Sequence, residues 1–189
     1  MGLDRSDHLE RRHGATVSWR AFELHPEIPA AGVPLAPLIS PGGRFEEGYR
    51  TLEPLLAEAN LPFLLPERIP RTRLALSASE WVRQRDPGAF PQFHRSLFLA
   101  HWATGGDIAD RQFVVDLAGD AGADVASLER ALDFGQASLL VDHSTAEAVE
   151  LGVGGTPAFL FGGRFMLPGA QTREVIDQVV TRLGAMGIV

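Results

Sequence analysis

The 189-residue chain has no cysteine. An internal disulfide, a thiol nucleophile and a thiolate metal site are therefore excluded within it. Basic residues are outnumbered, 17 Lys+Arg against 24 Asp+Glu, which gives a formal net charge of −7 and a pI near 5.3. Phosphate binding relies on clustered Lys and Arg, so nucleic acid is not expected as a partner. No uninterrupted apolar run approaches membrane-spanning length, and the charged start Met1-Gly2-Leu3-Asp4-Arg5 is not a secretory signal. Internal repeats and low-complexity segments are also lacking. These absences together predict a cytoplasmic protein with neither membrane nor nucleic acid as its partner.

What is present is enough apolar residue, 45% of the chain, to bury one domain or a domain with a large insertion. The clearest local signal is residues 152–171. Two apolar runs, 158–161 and 164–167, flank Gly162-Gly163, a pair that permits positive φ in a two-residue hairpin turn. Residues 172–183 follow, with Val175, Ile176, Val179, Val180 and Leu183 at helical spacing, so the hairpin is expected to be covered by an amphipathic helix. Pro157 opens the first strand, where proline marks an edge, a turn or a cis bond.

Upstream, residues 2–13 carry a short helical pattern ending at Gly14, and residues 16–24 alternate as a strand with Val17, Trp19 and Ala21 inward. Five prolines between Pro26 and Pro41 make an extended connector. Residues 44–151 then turn helical. Phe45, Tyr49, Leu52, Leu55, Leu56 and Ala59 share one face, in a helix that Pro54 should kink or split. Thr72 can cap a helix to about Arg85 that buries Ala75, Ala78, Trp81 and Val82. A further helix begins near Pro91 with Phe93, Leu97, Phe98 and His101, and Asp110 can cap the next. Residues 125–132 and 136–151 give two more, divided at Gly135. Strands near both ends around a helical block suggest a single sheet assembled from distant segments, 1–43 and 152–189 forming the core and 44–151 an inserted helical domain.

Gly152-Val153-Gly154-Gly155-Thr156-Pro157-Ala158-Phe159, a hairpin, Gly169-Ala170-Gln171 and a helix, in that order, resemble the C-terminal half of the thioredoxin fold in the DsbA-like family. Residues 19–26, Trp-Arg-Ala-Phe-Glu-Leu-His-Pro, are similar to the W-R-P-F-x-L-x-P segment of its FrnE-like subgroup. Residues 70–75 resemble that subgroup's P-N-T-x-x-A block with Arg71 in place of asparagine. Residues 93–108 resemble its F-x-x-x-L-F-x-A-Y-F-x-x-G-x-D-I block with His101-Trp102 in place of Tyr-Phe. The resemblance implies an α/β, thioredoxin-like fold with a large inserted helical domain and a cis Thr156–Pro157 bond. It further implies that the first core strand and the Cys-Pro-Trp-Cys motif are missing from this chain. Met1 would then be an internal methionine of a longer protein, and the vacant strand edge would be met by rearrangement or by homodimerisation.

The same superfamily holds 2-hydroxychromene-2-carboxylate isomerases and kappa-class glutathione transferases. By resemblance, Gly155, Thr156 and Pro157 would form the binding loop for a thiol peptide or small molecule, with Thr156 offering the main-chain bonds, and Trp102 would overlook the cleft. Gly169, Ala170 and Gln171 lie where those relatives hold the carboxylate of glutathione, the only cofactor the resemblance implies. Three functions follow as expectations. The first is a protein related to thiol-disulfide oxidoreductases, not redox-active alone and with no catalytic residue of its own. The second is a glutathione-dependent isomerase or transferase. The third is a peptide-binding module without catalysis.

Other strings carry less. His94 and His101 lie on one expected helix but lack a third ligand at metal spacing, so they read as buried structural histidines. Asp142-His143-Ser144 are adjacent on a helix and point apart, which a catalytic triad does not allow. Gly152-Val153-Gly154-Gly155 neither follows a strand nor opens a helix, as a dinucleotide fingerprint must. Trp81, Phe90, Phe93 and Phe98 read as core.

Overall fold

A computed structural model describes residues 1–43 and 46–189, apart from the side chains of Glu46, Tyr49, Arg50, Thr51 and Glu53. Phe45 and the Tyr49 side chain, assigned above to the first helix of the block, lie outside the described residues. In chain order the elements are α1 (Gly2–His13), β1 (Val33–Pro34), α2 (Ala36–Ile39), α3 (Glu46–Ala59), β2 (Arg68–Ile69), α4 (Arg73–Arg85) and α5 (Phe90–Thr104). They continue as α6 (Arg111–Asp120), α7 (Val125–Asp133), α8 (Gln136–Glu150), β3 (Ala158–Phe161), β4 (Phe165–Pro168) and α9 (Arg173–Ala185). Two compact units share them: Met1–Trp19, Glu47–Leu61 and Ala148–Val189 form the first, and Arg20–Glu46 and Pro62–Glu147 the second. The helical unit thus takes in residues 20–43 and gives up Glu47–Leu61 and residues 148–151.

In the first unit, α1 and α9 pack with the β3–β4 hairpin around Leu9, Phe161, Leu167, Ile176 and Leu183. Gly14 ends α1 in the left-handed conformation, φ 64°, where glycine has no Cβ to clash. The Thr172 hydroxyl caps α9 by accepting the Val175 N–H at 3.2 Å. The hairpin corrects one expectation. Phe161 pairs with Phe165 and Ala158 with Pro168, so the loop is the three residues Gly162, Gly163 and Arg164, not a two-residue turn. Both glycines have positive φ, and a Cβ on Gly162 would lie 2.2 Å from the Ile188 carbonyl oxygen. The close approach of the C-terminal backbone selects glycine there.

Residues 16–24 join no ladder among the described residues; the two sheets are β1–β2 and β3–β4, each antiparallel and two-stranded. The alternation itself is real. Ala15, Val17, Trp19 and Ala21 are half-buried or buried, and Thr16, Ser18 and Arg20 are exposed. Periodicity reports an extended backbone with one covered face, and it does not say what satisfies the main chain. Within the second unit side chains do so. The Ala21 N–H donates to Glu80 Oε1 at 2.7 Å, and the Ser144 hydroxyl donates to the Ala21 carbonyl at 2.7 Å. The Glu23 N–H donates to Thr145 Oγ1 at 3.1 Å.

The rest of the second unit is a helical core. Ala75, Ala78, Trp81 and Val82 of α4 meet Phe93 and Leu97 of α5, as the helical spacings predict, and are joined by Val114 of α6 and Leu128 of α7. Asp110 and Asp124 cap α6 and α7 through the amides of Phe113 and Ser127. Thr72 stands at the start of α4 but its hydroxyl makes no capping bond. In the first unit α3 runs unbroken through Pro54. Pro54 is exposed, so water can meet the carbonyl left by its missing N–H.

Candidate functional site

The Thr156–Pro157 peptide bond is cis. Thr156 is exposed, Gly155 and Pro157 are half-buried, and no hydrogen bond among the described residues engages the Thr156 main chain. Because Ala158 pairs with Pro168, the residues just outside that pair, Pro157 and Gly169, flank the same end of the hairpin. The register therefore brings the two predicted stretches, Gly155 to Pro157 and Gly169 to Gln171, to one place. The start of α1 is there too. A Cβ on Gly2 would lie 3.4 Å from the Trp19 ring and 3.9 Å from the Pro157 Cβ.

Behind this face lies a network that sequence reasoning missed. Arg5, fully buried at 0% exposure, donates from Nε to the Gln171 carbonyl at 2.7 Å and pairs with Asp4 and with Glu58, the latter at 2.5 Å. Asp4, also buried, pairs in turn with Arg173. Burial pushes the Asp4 carboxyl up, but hydrogen bonds from Arg173 and Arg5 outweigh it and hold it below the usual carboxylate range. Glu58 completes the circuit by accepting the Arg173 main-chain N–H on Oε1 at 3.2 Å. The only cue in the sequence was the sparseness of apolar residues on α1, whose covered face holds Arg5 and Ser6 between Leu3 and Leu9.

That circuit bears on the stretch Gly169 to Gln171. It links β4 to α9, with Gly169 at φ 75°, Ala170 half-buried and the Gln171 side chain turned back to the Pro168 carbonyl at 2.8 Å. Of the amides that open α9, those of Arg173 and Val175 have internal acceptors, Glu58 and Thr172. A carboxylate of the chain itself thus sits where an anionic ligand would be drawn by the helix dipole.

Trp102 belongs to the second unit, on α5. Its ring stacks on Phe63 at 5.7 Å and meets His101 edge-on at 4.6 Å. His94 and His101 are buried on the same helix, and burial lowers both pKa values, that of His94 to about 4. Each therefore stays neutral in a packed interior, as the structural reading of that pair expects. A concavity of about 350 Å³ in the same unit is lined by Arg71, Arg73, Ser77, Arg111 and Ser138 among others. Two of its three arginines are already paired, Arg73 with Glu23 and Asp142, Arg111 with Asp133.

The family model for the DSBA-like thioredoxin domain matches residues 1–181. The chain belongs to that family. A probable DsbA oxidoreductase from Streptomyces coelicolor is similar in structure, with a TM-score of 0.79 at 25% identity over 97% of this chain and 83% of that one. A 2-hydroxychromene-2-carboxylate isomerase is similar in fold, with a TM-score of 0.69 at 19% identity over 97% of this chain and 87% of that one. Among curated proteins no sequence matches. As a DSBA-like domain the chain has the cis-proline loop of its thioredoxin fold but no sulfur nucleophile. Thiolate attack on a disulfide, the step that defines thiol-disulfide exchange, cannot be made by the chain alone. Among the described residues, no helix is long and apolar enough to cross a membrane.

Proposed function

We propose that this DSBA-like domain binds an extended peptide along the Gly155-Thr156-Pro157 loop and the adjoining β3, without thiol chemistry of its own. The observation that carries the reading is the unengaged main chain of Thr156 beside a strand whose one ladder partner among the described residues is β4. An added strand would gain main-chain hydrogen bonds there, and alternate side chains of Ala158, Phe159 and Leu160 would give it modest selectivity. Glutathione suits the site less well. Its carboxylate would have to compete with Glu58 for the start of α9, and Glu58 is held by a fully buried Arg5.

The test has two arms on the purified chain. Insulin reduction by dithiothreitol should proceed at the background rate, and tryptophan fluorescence should not respond to millimolar glutathione. Fluorescently labelled cysteine-free peptides should bind with equal affinity in the presence and absence of reductant. Insulin reduction above background, or peptide capture that requires a cysteine in the peptide, would refute the reading. A second copy of the chain is the competing occupant of the same edge, and self-association that blocks peptide binding would assign the edge to it.

A further inference from the structure

On the first unit, three side chains from two helices converge on one point. Asp177 of α9 places Oδ1 at 2.7 Å from His8 Nε2 and 2.6 Å from His13 Nε2, both histidines belonging to α1. The three ligand-type atoms all lie within 4.8 Å of one another. We propose that His8, His13 and Asp177 form a binding site for a divalent transition-metal ion of the zinc type, with water completing the shell.

The donor chemistry fits that class. Two imidazole nitrogens and one carboxylate oxygen suit zinc, copper or nickel ions, and a chain with no thiolate to offer directs no softer choice. Metal–ligand bonds of about 2.0–2.2 Å in a tetrahedron put neighbouring ligand atoms roughly 3.3 Å apart. The two separations to Asp177 Oδ1 are shorter than this by about 0.6–0.7 Å, so a small withdrawal of the carboxylate from the histidines admits the ion. The same nitrogen, Nε2, is aimed inward from both rings, which stand edge to face at 5.9 Å.

The framework that aims them is fixed by packing. Leu9, next to His8, and Ile176, next to Asp177, are both buried in the core that joins α1 to α9. The left-handed Gly14 closes α1 directly after His13, its N–H bonded to the Glu10 carbonyl at 3.0 Å. The histidines are 14% and 18% exposed and the aspartate 31%, so the site is reached from solvent while its ligands remain held.

Among the described residues, Arg12 also pairs with the cluster: its Nε lies 3.4 Å from Asp177 Oδ2 and its side chain is 66% exposed. It occupies the carboxylate oxygen that the metal does not need and is free to swing away. A cation at Oδ1 would still feel its repulsion, which gives the proposal a signature that a mere hydrogen-bonded clamp between helices lacks.

Tag-free protein titrated with Zn2+ and followed by calorimetry should take up one ion per chain. Co2+ in its place should develop the visible absorption of a distorted tetrahedral site and broaden the NMR resonances of His8 and His13. His8→Gln and Asp177→Asn should each weaken binding more than about tenfold, since loss of one of few protein ligands is at least as severe as loss of an outer-shell partner. Arg12→Ala should tighten it. Absence of Zn2+ uptake by the unaltered protein overturns the proposal. So does uptake unchanged in His8→Gln and Asp177→Asn, or Co2+ broadening at His25 or His143 in place of His8 and His13. The broadening experiment uses the native chain, so misfolding of a variant cannot leave the question open.

Discussion

Glu58 and Arg5 meet at 2.5 Å, and the second oxygen of the same carboxylate accepts the first amide of α9 at 3.2 Å. One side chain on α3 thus shares with Asp4 the pairing of a fully buried guanidinium and also caps a helix. Glu58→Ala should cost about 2 kcal/mol, the scale of leaving a buried charged donor with one partner fewer. Glu58→Gln, which keeps an acceptor for the Arg173 amide, should cost less. Urea denaturation at neutral pH measures both. Equal losses for the two variants would mean that the amide contact contributes nothing.

The buried Glu80 makes a comparable case in the helical unit, where it takes the Ala21 N–H and, on its other oxygen, Arg83 at 2.6 Å. Glu80→Ala should destabilise by about 3 kcal/mol, because it strands a buried amide and removes the carboxylate partner of Arg83. Ser144→Ala, which removes a single neutral bond to the Ala21 carbonyl, should cost about 1 kcal/mol. Chemical denaturation of the two variants beside the parent gives the comparison.

These two carboxylates also mark what the sequence could not disclose. Helical spacing located α4 to α9 and the inward faces of α4, α5 and α9, since burial repeats with the turn of the helix, and Asp110 and Gly135 punctuated them as Gly14 did α1. The proline, glycine and hairpin pattern of residues 152–171 located the loop now found with its cis bond. Residues 16–24 were legible as extended, but their bonds run to Glu80, Ser144 and Thr145, far away in sequence, and periodicity carries no information about such partners. The Asp4–Arg5–Glu58–Arg173 circuit and the His8–His13–Asp177 cluster were hidden for the same reason. Their members look like surface charges until distant helices are brought together.

The buried histidines predict an acid-sensitive helical unit. His94 titrates near 4 in the native protein because burial disfavours its charged form. Its unfolded counterpart titrates at about 6.5. Between those values unfolding takes up a proton, so stability is complete above about pH 6.5 and falls as the pH drops toward 4, by about 3 kcal/mol over the window. His101 is shifted in the same direction by its own burial and adds to the loss. His94→Leu should reduce the slope of stability against pH by about one proton across that window. Thermal or urea midpoints of parent and variant between pH 4 and 7 measure it, and parallel curves would show that His94 is not held neutral by the fold.

The claim on which the functional account rests is peptide binding at the Thr156 loop, and chemical-shift mapping tests it most directly. An array of cysteine-free octapeptides would first supply the best binder, which is then titrated into 15N-labelled protein under reducing conditions. The account predicts saturable shifts centred on Gly155, Thr156 and Ala158–Phe161, with the amides of α4 to α7 unmoved. Failure of every peptide in the array to perturb that loop, or shifts that gather elsewhere and leave Thr156 unchanged, would contradict it.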